Sequence, residues 1–562
     1  MDWPAGSVGE YLDYLGPGLT AGPCPPWPPD VFALTASVLR RTGAYVRAQE
    51  SSQTGRPPLL ERGWHEQARR LAEAWRTAVS TALQRPDSPL LLKEARKRLK
   101  AVALPAEVQD WWRQAIDGGS LLLSMLAGDD ETCGALLKMC LVADEACKGM
   151  GIEEWKQDED FILGHVEYPV FAHTAWASLC VEVQPHKVRV LPKQHTSQRG
   201  STVRSLSHYL ALCPANEVDI SWSSPARLSL SRDLEALNLL LLPWPLEMPA
   251  SCFALSTDKT APPLPDSQRF FDFLPGLRKT DFKLYLEEAL NQAKEHVSEV
   301  HGIVFPELAL TWEEYEHAES IAVREEALLI AGVALPGVPA TNACLVQWGG
   351  MTSAKNRILE YTRVQQTKHH RWCLDRDQIL RYGLGGRLPA SKECWEHIDI
   401  RERRVHFATL GSWMTLSVLI CEDLARQDPV SEILRAVGPN LVVALLMDGP
   451  QVRSRWPNQY AMVLADDPGS SVLTLTSLGM SLRSEPPPGQ PDRSRVIALW
   501  RDVIYREREL ELDKDCQAAV LSLVCSQREE FTADGRSDGR QAEFPVFAGF
   551  RSLKLNLTTD KQ

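Results

Sequence analysis

The chain has 562 residues, more than one hydrophobic core holds, so two to four domains are expected. Its hydrophobic content of 44% and charged content of 24% are those of a soluble globular protein, and a formal charge of −12 excludes a global basic field that would gather nucleic acid. The opening stretch MDWPAGSVGEYLDYLGPG has neither a basic n-region nor an apolar h-region, and the most apolar run, LNLLLLPWPL (237–246), is interrupted by Pro243 and Pro245, so no signal peptide, no membrane span and a cytoplasmic location are expected.

From the N-terminus, DVFALTASVLRRTGAYVRAQ (30–49) and ERGWHEQARRLAEAWRTAVSTAL (61–83) place apolar residues three and four apart, the spacing of amphipathic helices. The Pro- and Gly-rich stretches AGPCPPWPP and QTGRPP punctuate them. More helix is expected through WRQAIDGG and ETCGALLKMCLVADEACK, which makes residues 1–160 a mainly helical N-terminal domain. In it, Cys133, Cys140 and Cys147 recur every seven residues and read as one buried helix stripe, since no histidine joins them as a metal ligand. The 13 cysteines are scattered without a CxxC pair, against a disulfide framework or a zinc ribbon.

Residues 161–233 read as a mixed connector. Its stretch KVRVLPKQHTSQRGSTVRSLSHYLAL (187–212) combines a short strand with a basic loop carrying Lys187, Arg189, Lys193, Arg199 and Arg204. That loop reads as a solvated, charged connector; the sharper reading is an anion or RNA contact, which no aromatic residues interleaved with the cations support.

From Leu234 strands and helices alternate, and 234–562 reads as one α/β layered domain with both sheet faces covered. LNLLLLPW is a buried strand, and DFKLYLEEALNQAKEHVSEV puts Phe282, Leu286, Ala289, Leu290, Ala293, Val297 and Val300 on one helical face. HGIVFPEL is a strand and WEEYEHAESIAVREEA a helix. LLIAGVAL, TNACLVQWGG, ILEYTRVQQTKHH, VHFATLG and MTLSVLICED are successive strands. DPVSEILRAVG is a helix with Asp428 as N-cap and Pro429 at its first position. NLVVALLMD, SSVLTLTSLG, VIALW and AAVLSLVC are further strands. LADDPG (464–469) reads as a turn rather than a two-metal carboxylate site, and SEPPPGQPDRS (484–494) as a surface loop.

Three of these strands end on residues able to share one reaction. Glu307 follows IVFP, Lys368 follows YTRVQQT and Cys421 follows TLSVLI. A thiol can be the nucleophile, a buried carboxylate its base and an ammonium the partner of an oxyanion. Singly, each has a plain structural explanation: a small core thiol, a carboxylate at a helix start, a charge at a rim.

Together, IVFPELALT (303–311), QQTKHHRW (365–372) and VLICEDLA (418–425) resemble the nitrilase superfamily of carbon–nitrogen hydrolases, in that family's order. The strand–helix–strand lead-in and the LLMDGPQ strand match as well, so the resemblance covers about Leu234 to Cys525. It implies an αββα sandwich in the C-terminal half with Glu307 as general base, Cys421 as nucleophile, Lys368 as the cation beside the oxyanion and the backbone N–H of Glu422 completing the oxyanion hole. Many members use a second glutamate between the lysine and the cysteine; Glu396 in CWEHIDI matches best by position, with Glu393 next. LDRDQILRYGLGGRLPASKE departs from the usual family loop. Cys-Glu-Asp is most similar to the glutaminase domain of glutamine-dependent NAD synthetase, but the Ser-Gly-Gly loop of the synthetase is missing.

The resemblance implies attack of Cys421 on the carbon of an amide, carbamoyl or nitrile substrate, a thioester intermediate, and no metal or organic cofactor. A homo-oligomer is expected from the family's habit of dimerising, and nucleic acid is not an expected partner. Residues Met1 to Asp233 are expected to supply a protein-partner or oligomer surface, or a cap over the active site. Nitrilase-like domains also occur as modules of prokaryotic antiviral systems, and the basic connector fits such a setting. The alternative is a catalytically silent nitrilase-like scaffold or sensor for assembly in a defence complex.

Overall fold

The computed structural model describes residues 6–49, 58–83, 92–148, 150, 178–215, 218–223, 236–276, 279–352, 358–410, 414–486 and 492–557. The expected change of texture near Phe161 and the boundary at 233 lie outside these residues, as do 487–491 of the loop SEPPPGQPDRS.

Six helices lead: α1 (Val8–Leu15), α2 (Pro28–Thr42), α3 (Trp64–Leu83), α4 (Leu92–Leu99), α5 (Ala106–Asp117) and α6 (Asp130–Ala146). Pro28 and Pro29 open α2, where a missing N–H costs nothing, and Gly43 closes it at φ 71°, a left-handed conformation that glycine adopts freely. Asp129 caps α6 by accepting from the backbone N–H of Thr132. α6 is buried nearly all round because α2, α3 and α5 pack against it. Cys133, Cys140 and Cys147 are buried in and just after it, as core residues.

Strands β1 (Val188–Pro192) and β2 (Leu210–Pro214) pair with each other, and β3 (Asp219–Ser223), β4 (Leu237–Leu241), β5 (Phe253–Leu255) and β6 (Gln268–Phe273) follow. Then come α7 (Phe282–Lys294), β7 (Gly302–Val304), α8 (Trp312–Arg324), β8 (Leu328–Leu335), β9 (Thr341–Thr352), β10 (Ile358–Thr367), β11 (Cys373–Leu374), α9 (Arg376–Arg381) and β12 (Glu393–Glu396). The remainder is β13 (Arg404–Leu410), β14 (Met414–Ile420), α10 (Ser431–Val437), β15 (Leu441–Leu446), α11 (Trp456–Asp466), β16 (Ser471–Thr476), α12 (Leu478–Arg483), β17 (Val496–Asp502), β18 (Arg506–Glu511), β19 (Ala518–Phe531) and β20 (Ser537–Leu553).

Two seven-stranded sheets form, in the orders β10-β9-β8-β7-β4-β19-β20 and β18-β17-β16-β15-β14-β13-β3. The pairs β4–β7–β8 and β14–β15–β16 are parallel. The alternation of side chains along a strand assigns the layers. On β15, Leu441, Val443 and Leu445 enter the core shared with Val304 and Ile330 of the other sheet, while Val442 and Ala444 face the opposite way. The outer face of the first sheet packs Ile303, Phe305 and Leu329 against Tyr285 and Leu286 of α7 and Tyr315 and Ile321 of α8. The outer face of the second packs Phe407, Val442 and Ala444 with Ile433 and Leu434 of α10 and Ala461 and Leu464 of α11, in a core continuous with the N-terminal helices. The architecture is therefore the expected αββα sandwich, preceded by a mainly helical region.

Several local expectations change. The helix expected from Asp428 begins at Ser431 with Val430 before it, and the Asp428 carbonyl instead accepts from Nε2 of His370 at 2.7 Å. α7 stops at Lys294, so Val297 and Val300 lie beyond the helix; Val300 is buried in the same core all the same. The basic loop is solvated only at its tip, 198–201, where Arg199 is exposed. Arg189 and Lys193 are buried, Arg199 pairs with Asp466 and Arg204 with Asp467, because the loop folds against α2, α10 and the end of α11. β3, inside the span read as connector, is the edge strand of the second sheet, parallel to β13. No helix among the described residues is long and apolar enough to cross a membrane.

Candidate active site

The site is assembled from the loops that follow the strands at one end of both sheets. Val304 ends β7, and Glu307 follows three residues later. Gly332 on β8 makes this approach feasible: a Cβ there would lie 2.1 Å from the Pro306 carbonyl oxygen and 2.6 Å from the Glu307 Cα. Lys368 directly follows β10, and its backbone N–H donates to the Asn342 carbonyl at 2.9 Å. Glu396 is the last residue of β12, in the small sheet β11-β12-β6-β5 that spans the loop LDRDQILRYGLGGRLPASKE. Cys421 opens a tight 3-10 turn, Cys421–Leu424, immediately after β14.

Three of these side chains meet directly. The Lys368 Nζ donates to Glu307 Oε1 at 2.8 Å and to Glu396 Oε2 at 2.6 Å. Asn342 Nδ2 bridges the same carboxylates, at 2.7 Å from Glu307 Oε1 and 2.9 Å from Glu396 Oε1. The other Glu307 oxygen accepts from the backbone N–H of Met447 at 2.6 Å, and Glu396 Oε2 also accepts from that of Trp372 at 3.1 Å. Lys368, Glu307, Glu396 and Cys421 are each at most 2% exposed. Buried charges persist only when paired and hydrogen-bonded, and this cluster satisfies that condition.

Electrostatics follow from burial. Burial pushes the Glu307 carboxyl up; the Lys368 ammonium opposes this, and the Glu396 carboxylate adds to it. Burial alone would lower the ammonium of Lys368, but Glu307 and Glu396 outweigh it and hold the group well above the usual lysine range. The Cys421 thiol is raised well above its ordinary value, first by burial and then by the charge of Glu307, with Lys368 opposing. Cys421 also has φ 49°, a left-handed backbone that costs a non-glycine residue roughly 1–3 kcal/mol and recurs at functional sites. Leu308, just after Glu307, has φ 50°.

Glu422 follows Cys421 in the turn, and its carboxylate is taken by Arg426, at 2.7 Å from Nη2. Of the two candidates for the second glutamate, Glu396 joins the cluster. Glu393 is exposed at the other end of β12 and accepts from Gln268 Nε2 at 2.8 Å.

Sequence reading missed three contributors. Asn342 is a polar residue near the start of β9, a strand that also carries Thr341 and Gln347, so no motif marks it. The Asp423 carboxylate accepts from the backbone N–H groups of His369 and His370, at 3.1 Å each, and so fixes the chain just after Lys368. Asp448, two residues after β15, is bonded by the Tyr382 hydroxyl and by Arg455 Nη2 at 2.5 Å, and its charge also reaches Cys421. Among the described residues no group of three or more His, Cys, Asp or Glu side chains is arranged to hold a metal ion.

No protein-family model and no curated protein matches the chain. Solved structures similar to it include Nit3 from Saccharomyces cerevisiae, a member of branch 10 of the nitrilase superfamily, at 9% identity and a TM-score of 0.30 over 52% of this chain and 92% of that one. An amidase from Nesterenkonia sp. AN1 is similar at 11% identity and a TM-score of 0.30, over 52% of this chain and 93% of that one. Glutamine-dependent NAD+ synthetase from Acinetobacter baumannii is similar at 12% identity and a TM-score of 0.28, over 57% of this chain and 49% of that one.

Proposed function

We propose that the chain hydrolyses a carbon–nitrogen bond, with Cys421 as nucleophile, Glu307 as general base and acid, and Lys368 as the oxyanion's cation. The observation that carries this reading is the buried lysine held between two carboxylates, together with a buried thiol on left-handed backbone just after β14.

An amide substrate reacts in two stages, acylation of the thiol and hydrolysis of the thioester. The thiol is protonated at rest, so its proton passes to Glu307 as the sulfur–carbon bond forms. The carbonyl electron pair moves onto oxygen, where the Lys368 ammonium and the Glu422 N–H stabilise it in a water-poor site. Collapse expels the amine, which takes the proton back from Glu307. Water then gives a proton to Glu307 and attacks the thioester; the sulfur–carbon bond breaks, the acid leaves, and the sulfur takes the proton back from Glu307. Glu396 and Asn342 hold Lys368 and Glu307 in register throughout.

The test is an ammonia-release screen of the purified chain over primary amides, carbamoyl compounds and nitriles. Release is expected from one of these classes and is expected to vanish in Cys421→Ala with an unchanged circular dichroism spectrum. Release by Cys421→Ala at the wild-type rate would refute the assignment.

A further inference from the structure

A cavity of about 420 Å³ lies away from the catalytic cluster, between α2, the segment 202–212 and α10. Its volume is within the range of small-molecule sites. Four cationic side chains reach its wall from separate parts of the chain: Arg40 from the last turn of α2, Lys193 just after β1, Arg204 from the 3-10 turn Val203–Leu206, and Arg435 from α10. Two carboxylates, Asp428 and Glu432, share the wall with these four cations.

The cations are unevenly compensated. Arg204 and Arg435 both bind Asp467, and Arg40 meets Glu432 in a half-exposed pair of the kind worth little in water. Lys193 is different. Its buried ammonium donates to the carbonyls of Arg204 and Ser207 and to the Ser207 hydroxyl, and among the described residues no carboxylate lies within ion-pair distance of it. Its charge is balanced only at longer range, by Asp144, Glu530 and Asp467, and the four cations of the wall outnumber its carboxylates Asp428 and Glu432. One more polar atom of the wall, Arg435 Nε, is buried without a hydrogen-bond partner. Tyr45, Leu210 and Leu212 supply apolar wall beside the charges.

We infer that this cavity binds a small phosphorylated organic molecule, with its phosphoryl group between Arg40 and Arg435, the buried Lys193 ammonium adding its charge, and its body on Leu210, Leu212 and Tyr45. Cations converging from several directions suit a tetrahedral dianion with three free oxygens, whereas a planar carboxylate is satisfied by one arginine fork. The wall also includes Gln427 and Asp428, on the loop that begins at the Cys421 turn, so the ligand touches the segment that carries the thiol. The binding itself rests on no assumption about catalysis.

Isothermal titration of the full chain with AMP, ribose 5-phosphate, pyrophosphate and orthophosphate, and with adenosine as the uncharged comparison, tests this directly. Saturable binding of at least one organic phosphate is expected, tighter than orthophosphate and absent for adenosine. It is expected to weaken about 10–100-fold in Arg40→Glu and in Arg435→Gln, the scale of one lost charge-assisted hydrogen bond, and to be unchanged in Lys283→Glu on distant α7. Arg40 is half exposed, so its variant is expected to fold even if Arg435→Gln does not. No saturable binding of any probe, equal binding of adenosine and AMP, or affinity unchanged in Arg40→Glu would each overturn the proposal.

Discussion

At the scale of single residues, the cluster around Lys368 makes unequal demands on its members. Removing the ammonium leaves Glu307 and Glu396 facing each other in a dry site. Lys368→Met is therefore expected to cost about 3–5 kcal/mol of stability, read by urea denaturation, as well as turnover. The sign with pH follows from the raised lysine: its stabilisation is fully present below the ordinary value of 10.5 and is lost only as pH rises through the higher folded value, so the wild-type advantage persists across neutral pH. Glu307→Gln keeps the volume but cannot accept a proton, and a loss of roughly 10²–10⁴ in kcat is expected. Because Glu307 must be ionised to act and its carboxyl is raised, kcat/KM is expected to fall with decreasing pH at a midpoint above the ordinary 4.5. Much of this was legible: strand-end positions and motif order pointed to Glu307, Lys368, Cys421 and Glu396. Asn342 was not, because one asparagine in a strand carries no motif, and only the register of β9 brings it between two carboxylates.

Among the elements, those most readable from sequence were the continuous apolar strands. β8, β14, β15 and β16 are buried on both faces, so their composition announces them. β20 was invisible. Its polar residues, Pro545 and Gly549 contradict a strand pattern, and it forms by pairing along the apolar β19. α11 was not expected either; Pro457 stands in its first turn, where a proline is tolerated. Two predictions belong here. In Gly332→Ala the new Cβ would overlap the Pro306 carbonyl, so both stability and turnover are expected to fall, checked by thermal melting alongside the activity assay. Asp467, next to the end of α11, is held down to about 2 by Arg204, Arg435 and Ser197 despite its burial, which acts the other way. A depressed carboxyl stabilises above its ordinary value of 3.8 and loses that contribution as pH falls toward 2. Asp467→Asn is expected to cost roughly 1–2 kcal/mol at pH 7, with the difference from wild type shrinking in melts between pH 4 and pH 2.

Over the whole molecule, the helical region and the sandwich share one continuous core, and charge reinforces it. The loop between β19 and β20 brings buried Arg536 to Glu145 at 3.0 Å and to Asp534 at 2.9 Å, and its Nη2 donates to the Leu206 carbonyl. Arg536→Ala is expected to strand those carboxylates and to raise hydrogen exchange in α6 and at the hairpin tip together. The sequence foreshadowed the layers, since strands alternating with helices imply a layered sheet. It did not foreshadow this tie, because residues 145 and 536 meet only in the folded chain. The central claim is that Cys421 bonds covalently to the substrate carbon. Rapid-quench mass spectrometry during turnover of whichever substrate the ammonia screen identifies tests it most directly. The account predicts a transient, hydroxylamine-labile acyl adduct on the peptide containing Cys421, absent in Cys421→Ala; turnover with no adduct, or with the adduct on another residue, would contradict it.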